Sequence, residues 1–398
     1  MLKNKIIIWG ADDFNTLGLL REYGEPGVDV FFLIKGARAY ASQSKYCINY
    51  HQVKSNDEGK EFLLENFSKE RNKPIIITSG DGLAVYIDKH KDELNEFFII
   101  PGTAEQGLQE KYTDKNAMTQ LATEIGILCP KSRFCKWNTD ISDVSYPCLI
   151  KPAHQKPGHY NEFKFKICKN KSELKRTLNV VRHDSEFILQ DCIQKEKDIL
   201  VYGARMWDDK TVLAGAMIRD RFADSGSSSH GIMTSIIPNC IDKYKIGEFL
   251  DRINYHGLFS FEYGMLGDKA YFFEVNLRND GTSHYFYQAG ANIPLAYAYS
   301  CAGLNYSEIP TAVLKEKWFI DELFDYENVI KGVISYKQWK KEKEQATVFK
   351  YYAVDDEFPW RWVSKRRWRM TVQDLVLKRF RLYIIYVLDK LGLVMFKK

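Results

Sequence analysis

The sequence predicts an α/β unit with a parallel sheet, followed by a larger α+β region built on antiparallel hairpins and ending in a basic helical extension. Three observations predict it. Apolar runs that end at glycine recur near the N-terminus, in Lys5-Ile6-Ile7-Ile8-Trp9-Gly10, in Lys73-Pro74-Ile75-Ile76-Ile77-Thr78 before Gly80, and in Phe97-Phe98-Ile99-Ile100 before Gly102. Such runs fit strands buried on both faces. Apolar and polar residues alternate from Ile199 to Met217 and from Gly257 to Asn276, which fits half-buried hairpins. The last forty residues gather eleven Lys or Arg against Asp374 and Asp389, so the net charge of +5 resides in the tail.

In order along the chain, a helix is predicted over Asn15 to Tyr23 and a second strand over Val28 to Ile34, giving a βαβ start and an open α/β sheet over roughly residues 1–105. Asp114 is an acidic N-cap for a helix running through Ala117, Met118, Leu121, Ala122 and Ile125, and Gly126 ends it. A strand over Tyr146–Pro152, a polar loop over His154–Asn161, a strand over Lys164–Cys168, a Lys-rich helix over Ser172–Val181 and a strand over Glu186–Gln190 follow. Gly267-Asp268 is the turn of the later hairpin. Ser225-Gly226-Ser227-Ser228-Ser229-His230-Gly231 has the composition of a flexible loop.

The composition excludes several classes. A chain of 398 residues with 45% hydrophobic content should bury a large core in two or three units. No signal-peptide pattern opens it, which predicts a cytoplasmic protein. Eight cysteines without a CxxC pair argue against a zinc site or a disulfide framework. Dinucleotide binding at the first strand is disfavoured, because Gly10-Ala11-Asp12-Asp13-Phe14-Asn15 lacks the later glycines and sets two carboxylates where a pyrophosphate would sit.

The most informative stretch is Phe272-Phe273-Glu274-Val275-Asn276-Leu277-Arg278, preceded by Glu262 in Phe259-Ser260-Phe261-Glu262. Side chains repeat every two residues on a strand, so Glu274, Asn276 and Arg278 share a face. With Glu262 on the partner strand, three oxygen ligands would converge beside a cation, a set that suits Mg2+. A solvated strand face of alternating charge is the commoner reading of such a motif taken alone.

Taken as an ordered series, these segments resemble the ATP-grasp superfamily over roughly residues 5–305. Tyr146–Pro152 looks like the strand bearing the nucleotide lysine, here Lys151, and Thr113-Asp114-Lys115 like the segment of an earlier lysine. Phe187–Ile193 resembles the hinge strand, which would bring Gln190, Asp191 and Ile193 to adenine, with Asp198 near the ribose position. Glu262, Glu274 and Asn276 match the metal ligands, and Arg278 matches the arginine of E-x-N-x-R. The Gly281-Thr282-Ser283 continuation is similar to carboxylate-amine ligases related to D-aspartate ligase and the carbamoyl-phosphate synthase large subunit.

The resemblance implies a Rossmann-like pre-ATP-grasp domain at 1–105, ATP-grasp subdomains at 106–190 and 191–305, and a C-terminal extension at 306–398. It implies ATP and one or two Mg2+ ions as cofactors, and an ADP-forming ligase that joins a small carboxylic acid to an amine through an acyl phosphate, with cell-surface polysaccharide or cell-wall precursor modification as a setting. A nucleotide-binding scaffold, a kinase and a carboxylase are the alternatives. The phosphate loop departs from the family in having a single glycine, so Lys156, His154 or His159 would compensate with side chains; Asp191 stands for the commoner Glu, and Leu277 for a frequent Pro. Arg219 and Arg221 precede the serine-glycine tract, and a guanidinium fork there suits a carboxylate or the γ-phosphate. Their plain alternative is a strand end paired with Asp220. His284 and Cys301 read as core residues.

In the tail, Val376, Phe380, Tyr383, Val387, Leu391 and Val394 recur at helical spacing, predicting an amphipathic helix within Val372–Phe396. Its longest apolar run is too short to span a bilayer. With the Trp and Arg residues from Pro359 onward it suits peripheral contact with an anionic membrane through 359–398, at the inner face, or packing on the protein itself. No nucleic-acid partner is expected, and a homodimer is the default assembly.

Overall fold

A computed structural model describes residues 2–136, 138–152, 165–179, 186–223 and 225–365. The loop expected at 154–161, with His154, Lys156 and His159, and the helix expected at 372–396 lie outside the described residues.

Strand β1 (Ile6–Gly10) leads into helix α1 (Phe14–Gly24), then β2 (Val30–Lys35), β3 (Asn49–Val53), α2 (Asn56–Phe67), β4 (Ile75–Thr78), α3 (Asp81–Lys89) and α4 (Lys91–Asn95). The four strands form a parallel sheet in the order β3-β2-β1-β4. Ile6 and Ile8 pack with Leu17, Leu20 and Phe32 on one face, while Ile7 and Trp9 pack with Leu33, Leu63 and Ile76 on the other. This is why the first strand reads as an unbroken apolar run. Asp13 starts α1 by accepting from Asn15 N and Thr16 N, and Asp12 accepts from Ala39 N and Ala41 N, so both carboxylates bind their own backbone. The third apolar run forms no full strand. Only Ile99 bridges to Ile75, because Phe98 N turns back to Leu94 O at 2.9 Å and Pro101 follows at once.

Helices α5 (Leu108–Thr113) and α6 (Lys115–Glu124) come next, the latter capped by Asp114 through Asn116 N and Ala117 N. Strands β5 (Ser132–Lys136), β6 (Cys148–Pro152) and β7 (Lys166–Cys168), helix α7 (Lys171–Leu178) and β8 (Glu186–Asp191) make an antiparallel sheet ordered β5-β8-β6-β7. All eight cysteines are unpaired.

Strands β9 (Lys197–Arg205), β10 (Thr211–Phe222) and β11 (Ser228–Thr234), helix α8 (Lys243–Arg252), and strands β12 (Gly257–Leu266) and β13 (Lys269–Asn276) build the largest sheet. After α9 (Ser283–Gln288) and α10 (Ile293–Cys301), the chain adds β14 (Lys317–Ile320), α11 (Tyr326–Ile330), α12 (Tyr336–Gln345) and β15 (Val348–Phe349). The order is β13-β12-β9-β10-β11-β14-β15, so residues beyond 305 complete one edge.

Half of the serine-glycine tract is strand rather than flexible loop. Ser229 and His230 are buried, and the Ser229 hydroxyl donates to Asp325 Oδ1 at 2.7 Å, a partner contributed by residues nearly a hundred positions away. A Cβ on Gly231 would lie 2.1 Å from Ile218 O, so the glycine admits the close approach of β10. Among the described residues no helix is long and apolar enough to cross a membrane.

Helix α1 packs on α9 and α10 around a buried polar layer. Arg21 donates to Asp356 Oδ2 at 2.9 Å with the two side chains 2% and 0% exposed, and it also reaches Tyr351 O and Asp356 O. Asp356→Ala strands that guanidinium, and a loss of about 3–5 kcal/mol in urea unfolding is expected. Glu22 accepts from the Ser283 hydroxyl at 2.9 Å. Burial pushes its carboxyl up to about 8, with the Ser283 hydrogen bond opposing. The folded chain therefore keeps this proton over a range in which the unfolded chain has released it, so the group costs stability as pH rises from about 4.5 toward 8. The Glu22→Gln variant should gain on the parent by roughly 1.4 kcal/mol per pH unit across that window, read from urea midpoints at several pH values; parallel curves would refute the assignment.

Candidate functional site

A cleft of about 660 Å³ lies over one face of the seven-stranded sheet, lined in sheet order by Glu274 of β13, Glu262 of β12, Asp198 and Leu200 of β9, Arg219 of β10 and Ser228 of β11. Glu262 lies on the partner strand of the hairpin, and an irregularity between Glu262 and Tyr263 makes it the direct partner of Glu274 across β12 and β13, with Ser260 opposite Asn276. Two carboxylates placed side by side repel, and each has drawn a cation. Lys115, the first residue of α6, meets Glu274 Oε2 at 2.5 Å, and Arg219 Nη2 donates to Glu262 Oε2 at 2.8 Å. Burial raises the Glu262 carboxyl; Arg219 opposes the rise, and Glu274 and Asp280 add to it.

Arg219 is 7% exposed, stands 3.7 Å from Asp198 Oδ1, and its Nε has no hydrogen-bond partner among the described residues. Asp198 also holds Lys195 Nζ at 2.5 Å, and that ammonium lies over the rings of Phe222 and Phe273. Lys151 on β6 stands close enough to feel this charge set. Burial lowers its pKa, the neighbouring Lys115 lowers it further, and Glu274 and Asp114 work the other way.

Beyond β13 the E-x-N-x-R row is tied to its surroundings. Asn276 Nδ2 donates to Ser260 Oγ at 3.0 Å, and its Oδ1 accepts from Arg278 Nη2 at 3.1 Å. Arg278 Nε donates to Asp81 Oδ1 at 2.8 Å, at the start of α3, and Nη1 reaches Asp280 Oδ2 at 3.4 Å. Burial works to lower the pKa of this guanidinium, and Asp280 and Asp81 outweigh it and raise it above its ordinary value. Burial likewise works to raise Asp280, and Arg278 with Thr282 overrules it, keeping the carboxyl below its ordinary range. Asn279 donates to Asn15 Oδ1 at 2.7 Å while Asn15 Nδ2 returns to Asn279 O and Ser79 O, locking the turn onto the N-terminal sheet. A Cβ on Gly281 would meet the Phe14 ring at 2.0 Å, so glycine there lets the two units close.

The structure thus brings Lys115, Asp198, Arg219, Glu262, Glu274 and Arg278 together on one cleft. Lys151 and Asn276 adjoin that group without lining the cleft. Gln190, Asp191 and Ile193 lie at the end of β8 and just past it and do not line it; Gln190 Nε2 donates to Ser132 Oγ at 2.7 Å, and Asp191 N bonds Lys131 O. Lys156 is outside the described residues. Among the described residues no three or more of His, Cys, Asp and Glu are grouped to hold a metal ion, so a third ligand beside the glutamates would be the Asn276 amide. Sequence reasoning missed Lys195, Asp280, Asp81, Tyr285 and Lys350. Asp280 continues the period-two row past Arg278 and could have been found that way; Asp81 and Lys350 are too distant in sequence to leave a signal.

No family model matches the chain. A curated D-aspartate ligase from Enterococcus faecium (strain Aus0004) is 24% identical over 318 residues, covering 71% of this chain and 73% of that protein. Among solved structures, N5-carboxyaminoimidazole synthetase from Staphylococcus aureus complexed with ADP aligns at a TM-score of 0.63 and 14% identity, covering 86% of this chain and 87% of its own. An L-amino acid ligase from Bacillus licheniformis aligns at 0.58 and 11% identity, covering 80% and 79%. The chain shares its fold with these solved structures, and in sequence it is similar to the D-aspartate ligase, as the ATP-grasp resemblance leads one to expect.

Proposed function

We propose that the chain is an ADP-forming carboxylate–amine ligase. The observation that carries this reading is the registered Glu262–Glu274 pair, faced by Lys115 and Arg219 on one cleft. The pair fits a divalent cation: the described contacts engage only Oε2 of each glutamate, and the two carboxylates repel across the strands. Glu262, Glu274 and Asn276 would hold Mg2+, which when bound supplies charge neutralisation at the phosphates.

In this reading Lys115, Lys151 and Lys156 meet the phosphates of ATP, and Gln190, Asp191, Ile193 and Asp198 take its adenosine part. Phosphoryl transfer to a carboxylate is mainly positioning and charge stabilisation. The carboxylate oxygen takes the γ-phosphoryl group and ADP leaves. Arg278 and Arg219 stabilise the charge that develops on the transferring oxygens and on the carbonyl. The amine then attacks the acyl carbon, phosphate departs with its bonding pair, and an amide remains. The proton that the nitrogen gives up leaves with the departing phosphate; burial and the nearby Lys115 lower the Lys151 pKa, and Glu274 and Asp114 oppose them. The four-part division at 105, 190 and 305 is part of the same proposal, as is a place in cell-surface polysaccharide or cell-wall precursor modification; the D-aspartate ligase likeness favours a ligase over a pure nucleotide-binding scaffold.

Three measurements test the reading. ADP release should require an acid and an amine together, and the product mass should equal their sum less water. Glu274→Ala should slow that release by roughly 10²–10³-fold, the scale for removing one preorganised group that stabilises transition-state charge, with an unchanged circular dichroism spectrum. Release at the parent's rate would sink the proposal. Asp81→Ala frees Arg278 Nε, and the misplacement should lower kcat by up to about 10²-fold with little change in the KM for ATP.

A further inference from the structure

Helices α11 and α12, in the segment beyond 305, carry a group of apolar side chains that does not line the cleft. Ile330 at the end of α11 and Val333 in the turn after it are each 64% exposed, and Tyr336 at the start of α12 is 57% exposed. Tyr326 and Ile330 stand one turn apart on α11 and so share a face. Trp339, which is buried, ties the two helices together from beneath: its ring meets Tyr326 edge-on at 5.0 Å and stacks on Tyr336 at 6.0 Å. Val333 N donates to Asn328 O at 2.9 Å, which folds the turn back on α11. A contiguous set of apolar side chains held out in water marks a surface that something covers.

The same stretch is basic. Residues 326–345 hold Lys331, Lys337, Lys340, Lys341 and Lys343, all exposed, against Glu327, Glu342 and Glu344. Glu342 is turned inward, where its Oε2 accepts from Arg221 Nη1 at 2.8 Å. On α12, Tyr336, Lys340 and Lys343 fall at i, i+4 and i+7, so one stripe carries an aromatic ring and two cations next to the aliphatic pair.

Charge decides between the candidate covers. The last forty residues of the chain carry eleven Lys or Arg against two Asp, so a lysine stripe repels them, and a second copy docking through the same face would set lysine against lysine. The cover is therefore anionic. Ile330 and Val333 offer a polyanionic strand nothing to stack on or to bond. Aliphatic tips flanked by long ammonium arms suit a lipid interface instead, with acyl chains for the first and phosphate headgroups for the second.

Independently of the ligase reading, we infer that the α11–α12 face docks peripherally on a membrane surface containing anionic lipid. Ile330, Val333 and Tyr336 enter at headgroup level, and Lys340 and Lys343 meet lipid phosphates. This contact does not depend on the basic tail.

The test is co-sedimentation of the full chain with phosphatidylcholine vesicles made with and without phosphatidylserine. Ile330→Ser with Val333→Ser removes the aliphatic tips, and Lys340→Gln with Lys343→Gln removes the two cations. All four sites are exposed, so both pairs should keep the parent's unfolding midpoint; where one does not, Val333→Ser or Lys340→Gln alone replaces it. Lys171→Gln with Lys175→Gln, at exposed sites on α7, is the charge-matched control. The parent should bind only the vesicles that contain phosphatidylserine, each α11–α12 pair should bind them at least about tenfold more weakly, and the control should match the parent. Failure of the parent to bind those vesicles, a smaller loss in either pair, or an equal loss in the control overturns the inference. Polyglutamate or a duplex oligonucleotide binding through the lysine pair as tightly as the vesicles do also overturns it, in favour of an acidic protein or a nucleic acid.

Discussion

Two glutamates set directly opposite one another on β12 and β13 are the constraint around which the rest of the cleft is arranged. Neighbouring carboxylates on a half-buried sheet face cannot both stay ionised without cations close by. The chain supplies these from elements that otherwise have little to do with each other: Lys115 from the first turn of α6 and Arg219 from β10. Each is itself positioned by a local rule. Asp114 caps α6 and so fixes where Lys115 emerges, and a register irregularity in β10 just after Arg219 separates it from Arg221. Arg219 turns to the cleft, while Arg221 turns to Asp325 and Glu342 of the C-terminal segment.

The N-terminal α/β unit closes the cleft rather than merely preceding it. Its strand ends and helix starts carry Asn15, Ser79 and Asp81, and these hold the residues that follow Asn276. Arg278 is consequently clamped between Asp81 and Asp280, charged in spite of burial. The buried layer of Arg21, Glu22, Ser283 and Asp356 fastens the same two regions from behind, which ties the geometry of the cleft to the stability of the interface.

The segment beyond 305 has a comparable role on the opposite edge. β14 pairs with β11, and β15 pairs with β14 in parallel. Asp325 receives Arg221 and Ser229, and Asn328 adds a hydrogen bond to Ser229, so a serine-rich stretch that composition marks as a loop becomes an interior strand. Serine and glycine suit that strand because the Ser229 hydroxyl finds partners in the segment that covers it, and because Gly231 leaves room for β10.

What the sequence by itself determined is the set of features written in short-range pattern: the apolar runs of β1 and β4, the Asp114 cap and Gly126 stop of α6, the hairpin of β12 and β13, and the shared face of Glu274 and Asn276. These depend on periodicity and on capping, both of which act within a few residues. The pairing of Glu262 with Glu274 was not legible in the same way: the two-residue turn alone would set Glu262 opposite Phe273, and an irregularity between Glu262 and Tyr263 shifts the register by one to bring Glu274 across. Tertiary structure alone decided which cations would face them, that Phe97–Ile100 would turn back on a helix end instead of completing a strand, and that Ser228–Thr234 would be strand at all. Lys350 reaches the cleft, and Asp81 reaches Arg278 beside it, from parts of the chain up to two hundred residues from the motif. Their approach is set by how three sheets pack, through burial and charge pairing at long range, and no local spacing encodes it.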